Sequence, residues 1–387
     1  MVSKTKTWQQ KSLQVYISQF QILYNFPIMF DAQPRVMSER KISHLIFFLL
    51  ALIFAILESC SAIIVCGGRW LRYHKFEDIP MWKLYTTGCV GVAGGITTIF
   101  HMGAYAVAPL IPNIMQPFWK MQETWQRLKI SLSSSTSWTW ERILYVALQL
   151  IIIVGNFSPL LTSVIVVLID VDSVGLLSIS YQYDTFTLFI FRCFLTSLCI
   201  REAYRIFWFV LFFSVTMCRF ALDFATTIGR LWNPKMFTDL YTQYFLLYSA
   251  LSGISEFSVF CCMAATLMVG IILNFLTLRL YSKLPLLFHL TTTVFAVVIP
   301  ILVNLTLPPI VMSHEETRKL LKMRYLRYRP YRKQNPVLFR VIRAMRPLAF
   351  HAGLFDHRFF KLQRSTMFTF YKVYVDYTIV ALLYIPV

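Results

Sequence analysis

Asp376 lies deep in an apolar run, Ser365 to Pro386, that reads STMFTFYKVYVDYTIVALLYIP. A carboxylate at the centre of a membrane helix costs about 2.5–3.5 kcal/mol on insertion scales, so it is expected to face water or protein. Several copies of this helix around one axis would set Asp376 in a ring that favours cations. A hydrogen bond inside the subunit is the competing reading. Glu58 and Arg192 also fall within apolar runs, as a buried pair or the lining of a water-filled cavity. Arg201, Glu202 and Arg205 crowd one end of a run, where snorkelling of their charged heads explains them. His351-Ala352-Gly353-Leu354-Phe355-Asp356 has the H-x4-D spacing of glycerolipid acyltransferases, in which the Asp orients a His base. No acidic-glycine block follows, and 31 residues are too few to enclose a reacting centre. The seven histidines are scattered without H-E-x-x-H or His boxes, so no metal site is expected. His101 and His289 read as core polar groups. The residues point away from an enzyme and from any cofactor.

The elements that must position these groups are membrane helices. Of 387 residues, 57% are hydrophobic and only 14% charged, with mean hydropathy +0.60. A soluble domain carries about 25% charged residues and could not bury this much apolar surface. The polar opening MVSKTKTWQQ predicts no cleaved signal peptide. Runs near the 20 residues that a span needs occur at 44–66, 84–112, 142–169, 183–205, 254–278, 285–312 and 365–386. The expected fold is all-α, with seven transmembrane helices. The alternate connections carry 27 Lys and Arg on one side and 6 on the other. By the positive-inside rule the N-terminus is cytoplasmic and the C-terminus extracellular. The formal charge of +19 is therefore read as topology rather than as nucleic-acid binding, with lipid headgroups as a second contact for the basic sixth loop. The cysteines lie in or beside apolar runs and offer no disulfide framework. The sequons at Asn156 and Asn304 fall within spans and are not expected to be glycosylated.

The parts divide at 1–43, a cytoplasmic segment; 44–312, a six-helix bundle; 313–364, a basic loop with an anchor helix; and 365–387, the last helix. The stretch 241–280 is long enough to begin as an amphipathic helix in the cytoplasm before entering the membrane. An extension of the fourth span over 206–232 would partner it, giving a packed cytoplasmic bundle. Asn335-Pro336 marks a helix start, with Val337, Leu338, Val341, Ile342 and Met345 on one face and Arg340, Arg343 and Arg346 on the other. Gly353 is expected to break the chain before the last helix. Asp170, Asp172 and Asp184 would add negative potential near an outer mouth. Tyr85, Thr86, Asn156, Tyr183, Thr187 and His289 are the polar and aromatic residues of the outer halves and the candidates for a ligand pocket.

The C-terminal region resembles the insect gustatory-receptor family, within the seven-helix insect chemoreceptor superfamily. Gly353-Leu354-Phe355 is similar to that family's glycine-aromatic step after an arginine-rich stretch. Asp376 to Tyr384 occupies its last-helix signature of Thr-Tyr, five apolar residues and Gln-Phe. Tyr377 and the aromatic Tyr384 match in type, while Asp376 replaces the Thr and Leu383 the Gln. The resemblance implies a divergent, homo- or heterotetrameric, ligand-gated channel of the plasma membrane for monovalent and divalent cations. It further implies a last helix lining the pore (Asp376, Tyr377, Val380, Leu383, Tyr384), an anchor domain from the cytoplasmic ends of helices four to seven, and a small-molecule pocket in each subunit's outer half. Among alternatives, a G-protein-coupled receptor would put the basic loops outside. It would also show Asp-Arg-Tyr after the third span and Asn-Pro-x-x-Tyr in the seventh, and neither is present. A transporter or membrane enzyme would show internal repeats or catalytic clusters.

Overall fold

The computed structural model describes residues 8–20, 27–30, 36–38, 45–131, 138–180, 186–229, 231, 233–354 and 357–385. Its helices are α1 (Trp8–Phe20), α2 (Ile46–Trp70), α3 (Met81–Val107), α4 (Ile111–Ser131), α5 (Trp138–Leu168) and α6 (Ser173–Ser180). They continue as α7 (Phe186–Ile228), α8 (Pro234–Arg279), α9 (Leu286–Tyr328), α10 (Pro336–Ala344) and α11 (Arg364–Tyr384). Six of them, α2, α3, α5, α7, α8 and α9, are long and apolar enough to cross a membrane. At 21 residues α11 has the length. Lys372, Asp376 and its tyrosines interrupt its apolar run, and it is not among the six.

Two antiparallel hairpins interrupt the helical chain, where sequence reading expected helix and loop alone. Strands β1 (Ile28–Phe30) and β2 (Val36–Ser38) form one. The other joins β3 (His351–Leu354) to β4 (His357–Lys361), with an irregularity between Ala352 and Gly353. Gly353 is therefore a strand residue rather than a helix break. A Cβ there would sit 2.5 Å from the His357 carbonyl oxygen, so only glycine lets the two strands approach this closely.

The long helices have local causes. Asn233 caps α8, its Oδ1 accepting from the backbone N–H of Lys235 (3.0 Å) and Met236 (3.3 Å), with Pro234 at the first position. Small residues bring α2 and α3 together. A Cβ at Gly91 would lie 2.1 Å from that of Ala62, and Ser59 Oγ donates to the Gly91 carbonyl at 3.1 Å. The end of α7 is closed by a side chain from α9. Buried Arg324 donates to the carbonyls of Ile228 (2.9 Å), Gly229 (3.1 Å) and Leu231, at the end of the helix where carbonyls run out of intrahelical donors.

The extensions expected for the fourth and fifth spans are present as single helices and pack on each other. Phe220 and Phe224 of α7 meet Tyr244 of α8 at ring centroid distances of 5.3 and 4.4 Å. Tyr241 and Tyr248 of α8 donate to the carbonyls of Arg346 (2.8 Å) and Ala349 (2.5 Å), which fixes the strand-like approach to β3. The helix after Asn335 is also found, but rotated from expectation. It buries Phe339 and Ile342, while Val337 and Val341 are exposed. The N-terminal segment supplies a helix to the bundle: Tyr16 of α1 is buried and stacks on Trp208 of α7 at 4.2 Å.

Candidate functional site

The last helix is built as a two-faced rod. It starts with a capping box in which Gln363 accepts from the backbone of Thr366, and Thr366 Oγ1 accepts from the Gln363 N–H at 3.3 Å. One face is tied to the bundle by tyrosine hydroxyls. Tyr371 donates to Asn304 Oδ1 of α9 (2.7 Å), and Asn274 Nδ2 of α8 donates to the Tyr374 hydroxyl (2.7 Å) and to Thr378 Oγ1 (3.4 Å). Gly270 clears the way for Tyr374, since a Cβ there would lie 2.5 Å from the ring. Further along, Ala381, Leu382 and Ile385 pack against Phe275, Leu276, Leu280, Leu284 and Phe288.

The opposite face carries every pore candidate. Asp376, Tyr377, Val380, Leu383 and Tyr384 are all exposed, and their spacing of one, four, seven and eight positions from Asp376 is that of a helical stripe. Among the described residues Asp376 makes no hydrogen bond or ion pair. Lys372 is exposed one turn earlier on the same stripe, within reach for an i, i+4 pairing. Sequence reading missed Lys372, although its spacing of four from Asp376 was visible.

The other ionisable groups of the apolar runs are inside the chain. Arg192 of α7 is buried and donates to Asp172 Oδ2 from Nε (2.9 Å) and to Asp172 Oδ1 from Nη2 (2.5 Å), with Asp170 at 3.3 Å. Lys83 of α3 stands 3.9 Å from Asp170. Glu58 of α2 does not pair with Arg192. Its carboxylate accepts from the Ser173 backbone (3.1 Å) and hydroxyl (2.5 Å), beside Asp172 at the start of α6. Both expected candidates thus belong to one structural network that straps the 170–175 turn across α2 and α7. The negative potential expected of Asp170 and Asp172 is spent on Arg192 and Lys83. Asp184 lies outside the described residues.

Snorkelling is likewise overturned for Glu202 and Arg205. Both are 0% exposed and form an ion pair of 2.7 Å. The reason is the length of α7, which runs on to Ile228, so that these residues lie at mid-helix and are packed beside Tyr16 of α1. Arg201 donates to Asn156 Oδ1 (3.3 Å), and Asn156 donates to Gln19 of α1 (3.2 Å).

The pocket candidates do not converge. Thr86 is buried and spends its hydroxyl on the Trp82 carbonyl at 2.8 Å. Tyr85 packs edge-on against Phe275 at 5.9 Å, Asn156 ties α5 to α1 and α7, and Thr187 is exposed at the start of α7. His289 is half-buried near the start of α9, and Tyr183 lies outside the described residues. A cavity of about 310 Å³ occurs instead deeper in the bundle, between α3, α7, α8 and α9, and none of the six lines it. Asp356 of the H-x4-D spacing also lies outside the described residues. Among the described residues no cluster of His, Cys, Asp or Glu could hold a metal ion, and the cysteines described are free. The six long apolar helices make this a multi-pass membrane protein in outline. No family model matches the chain, and no curated protein matches it either.

Proposed function

We propose that the protein is a gustatory-receptor-like chemosensory channel, in which copies of α11 from a homo- or heterotetramer surround a cation path. In this reading α11 is a seventh span, the N-terminus is cytoplasmic, the C-terminus extracellular, and the membrane is the plasma membrane. The extensions of α7, α8 and α9 with α10 form the cytoplasmic anchor domain. A small-molecule ligand opens the path to monovalent and divalent cations.

One observation carries the reading. The face of α11 with Tyr371 and Tyr374 is tied to its own subunit, while the face holding Asp376 is exposed. An apolar face can meet lipid, but a mid-helix carboxylate with no hydrogen bond or ion pair among the described residues belongs against water or another protein copy. The neighbouring Lys372 sharpens the test. With Asp376 present the stripe carries one charge of each sign; Asp376→Asn leaves only the positive one. Rubidium uptake into proteoliposomes holding the full chain is expected to fall at least fivefold in Asp376→Asn, and to recover when Lys372→Gln is added. Uptake equal to the parent chain in Asp376→Asn would exclude the stripe as the cation path.

A further inference from the structure

We propose that the cavity between α3, α7, α8 and α9 is a binding site for a neutral hydrocarbon chain, carrying at most one hydroxyl-class group. This names a ligand class for the receptor reading above and rests on it for the role of the ligand, though not for its binding.

Shape and lining decide the chemistry. A volume of about 310 Å³ is at the lower end of small-molecule pockets, about 300–1,000 Å³. Four helices contribute, for example through Phe100, Phe207, Met263 and Leu302, and Phe370 of α11 reaches the same cavity. No Asp, Glu, Lys, Arg or His lines it, so a charged ligand would be desolvated without compensation. Its threonines offer little more. Thr97, Thr266 and Thr306 donate to the carbonyls four residues earlier on their own helices, at 2.8, 2.6 and 2.9 Å. Ser214 is the remaining hydroxyl and makes no hydrogen bond among the described residues. It also lines a second cavity of about 40 Å³, together with Val259 and Ile310, which both cavities share. A ligand polar group therefore has one place to be met, at the junction of the two. A sugar or an ion, which would need many partners, finds too few.

Two sources supply this chemistry: an acyl chain of the bilayer, or a free long-chain compound. The test uses the full chain in phosphatidylcholine nanodiscs and a hexadecanol bearing a mid-chain diazirine, photolysed and mapped by peptide mass spectrometry. Labelling is expected on cavity residues such as Met263 and Leu302 and is expected to fall at least fivefold under excess plain hexadecanol. Hexadecyltrimethylammonium should not compete. Ala203→Phe on α7 and Ala265→Phe on α8 should each lower that labelling, and the competition on the parent chain stands should either variant misfold. A parallel arm uses phosphatidylcholine with the diazirine in its acyl tail. Cavity labelling by that lipid assigns the bilayer as source, and labelling by the alcohol alone assigns a free compound; either supports the site. Unsaturable labelling confined to exposed residues such as Leu150 and Val294 would overturn it. Because no ion flux is read, failure here leaves the channel reading standing, and failure of the Asp376→Asn flux test leaves this site standing.

Discussion

At the scale of single residues, the strongest constraint is the buried guanidinium of Arg192. Removing one partner of a buried ion pair leaves an uncompensated charge and costs about 3–5 kcal/mol, whereas replacing both with apolar groups is often neutral. Arg192→Met is therefore expected to lower the thermal stability of the purified protein by that order, and Arg192→Met with Asp172→Leu to regain most of it. A double variant no more stable than the single one would show that the pair does not organise the 170–175 turn. A second residue-scale test concerns pH. His314, at the cytoplasmic end of α9 in our reading, is buried, and its Nδ1 lies 2.7 Å from the Leu348 carbonyl. Burial holds its imidazole below the ordinary value, and Lys361 and Arg318 push the same way, against the Leu348 contact and Glu315. The unfolded chain then binds the proton more readily than the folded one. Stability is full above about pH 6.5, the unperturbed value, and is lost as pH falls below it. Thermal unfolding between pH 7.5 and 5.5 should show this decline, and His314→Gln should flatten it. Residue roles were only partly legible beforehand. Glu58 and Arg192 stand out because charge is rare in apolar runs, but their partners come from a turn more than 100 residues from Glu58, which no local spacing reveals.

At the scale of elements, helices were the most legible feature, because long apolar runs admit little else. The extended α7 and α8 could be anticipated from their unbroken apolar and amphipathic character. The hairpin of β3 and β4 could not. Its strands are four and five residues long, too short for alternation to declare itself, and its register depends on Gly353 meeting a distant carbonyl. The face of α10 was misjudged for a related reason: Phe339 and Ile342 are selected by the Tyr325 ring and the core above, not by helical period alone. For α11 the decisive contact is Gly270 against Tyr374. Gly270→Ala is expected to overpack this seam and cost about 1–3 kcal/mol. Tyr374→Leu in the same chain should return part of that loss, read as melting temperature. If it returns none, the seam is not what fixes the rotation of α11.

At the scale of the whole molecule, the six long helices and the hairpins form a scaffold that leaves α11 with one covered and one uncovered face. The pocket was the least legible part from sequence. The resemblance set the expectation in the outer halves, where polar and aromatic residues were then the candidates, while the cavity is apolar and arises where helices separate, which composition does not encode. The stripe of Asp376, Val380 and Leu383 was named from the family resemblance, and that its face stays exposed is seen only in the packing of α11. The measurement that bears most directly on the channel reading is oxidative cross-linking in native membranes of Val380→Cys and Leu383→Cys, with Leu382→Cys on the packed face as control. Stripes that surround a shared axis should give disulfide-linked dimers for Val380→Cys and Leu383→Cys above the level of the parent chain, and none for Leu382→Cys. Monomer for all three, or linkage only through Leu382→Cys, would contradict a cation path lined by α11.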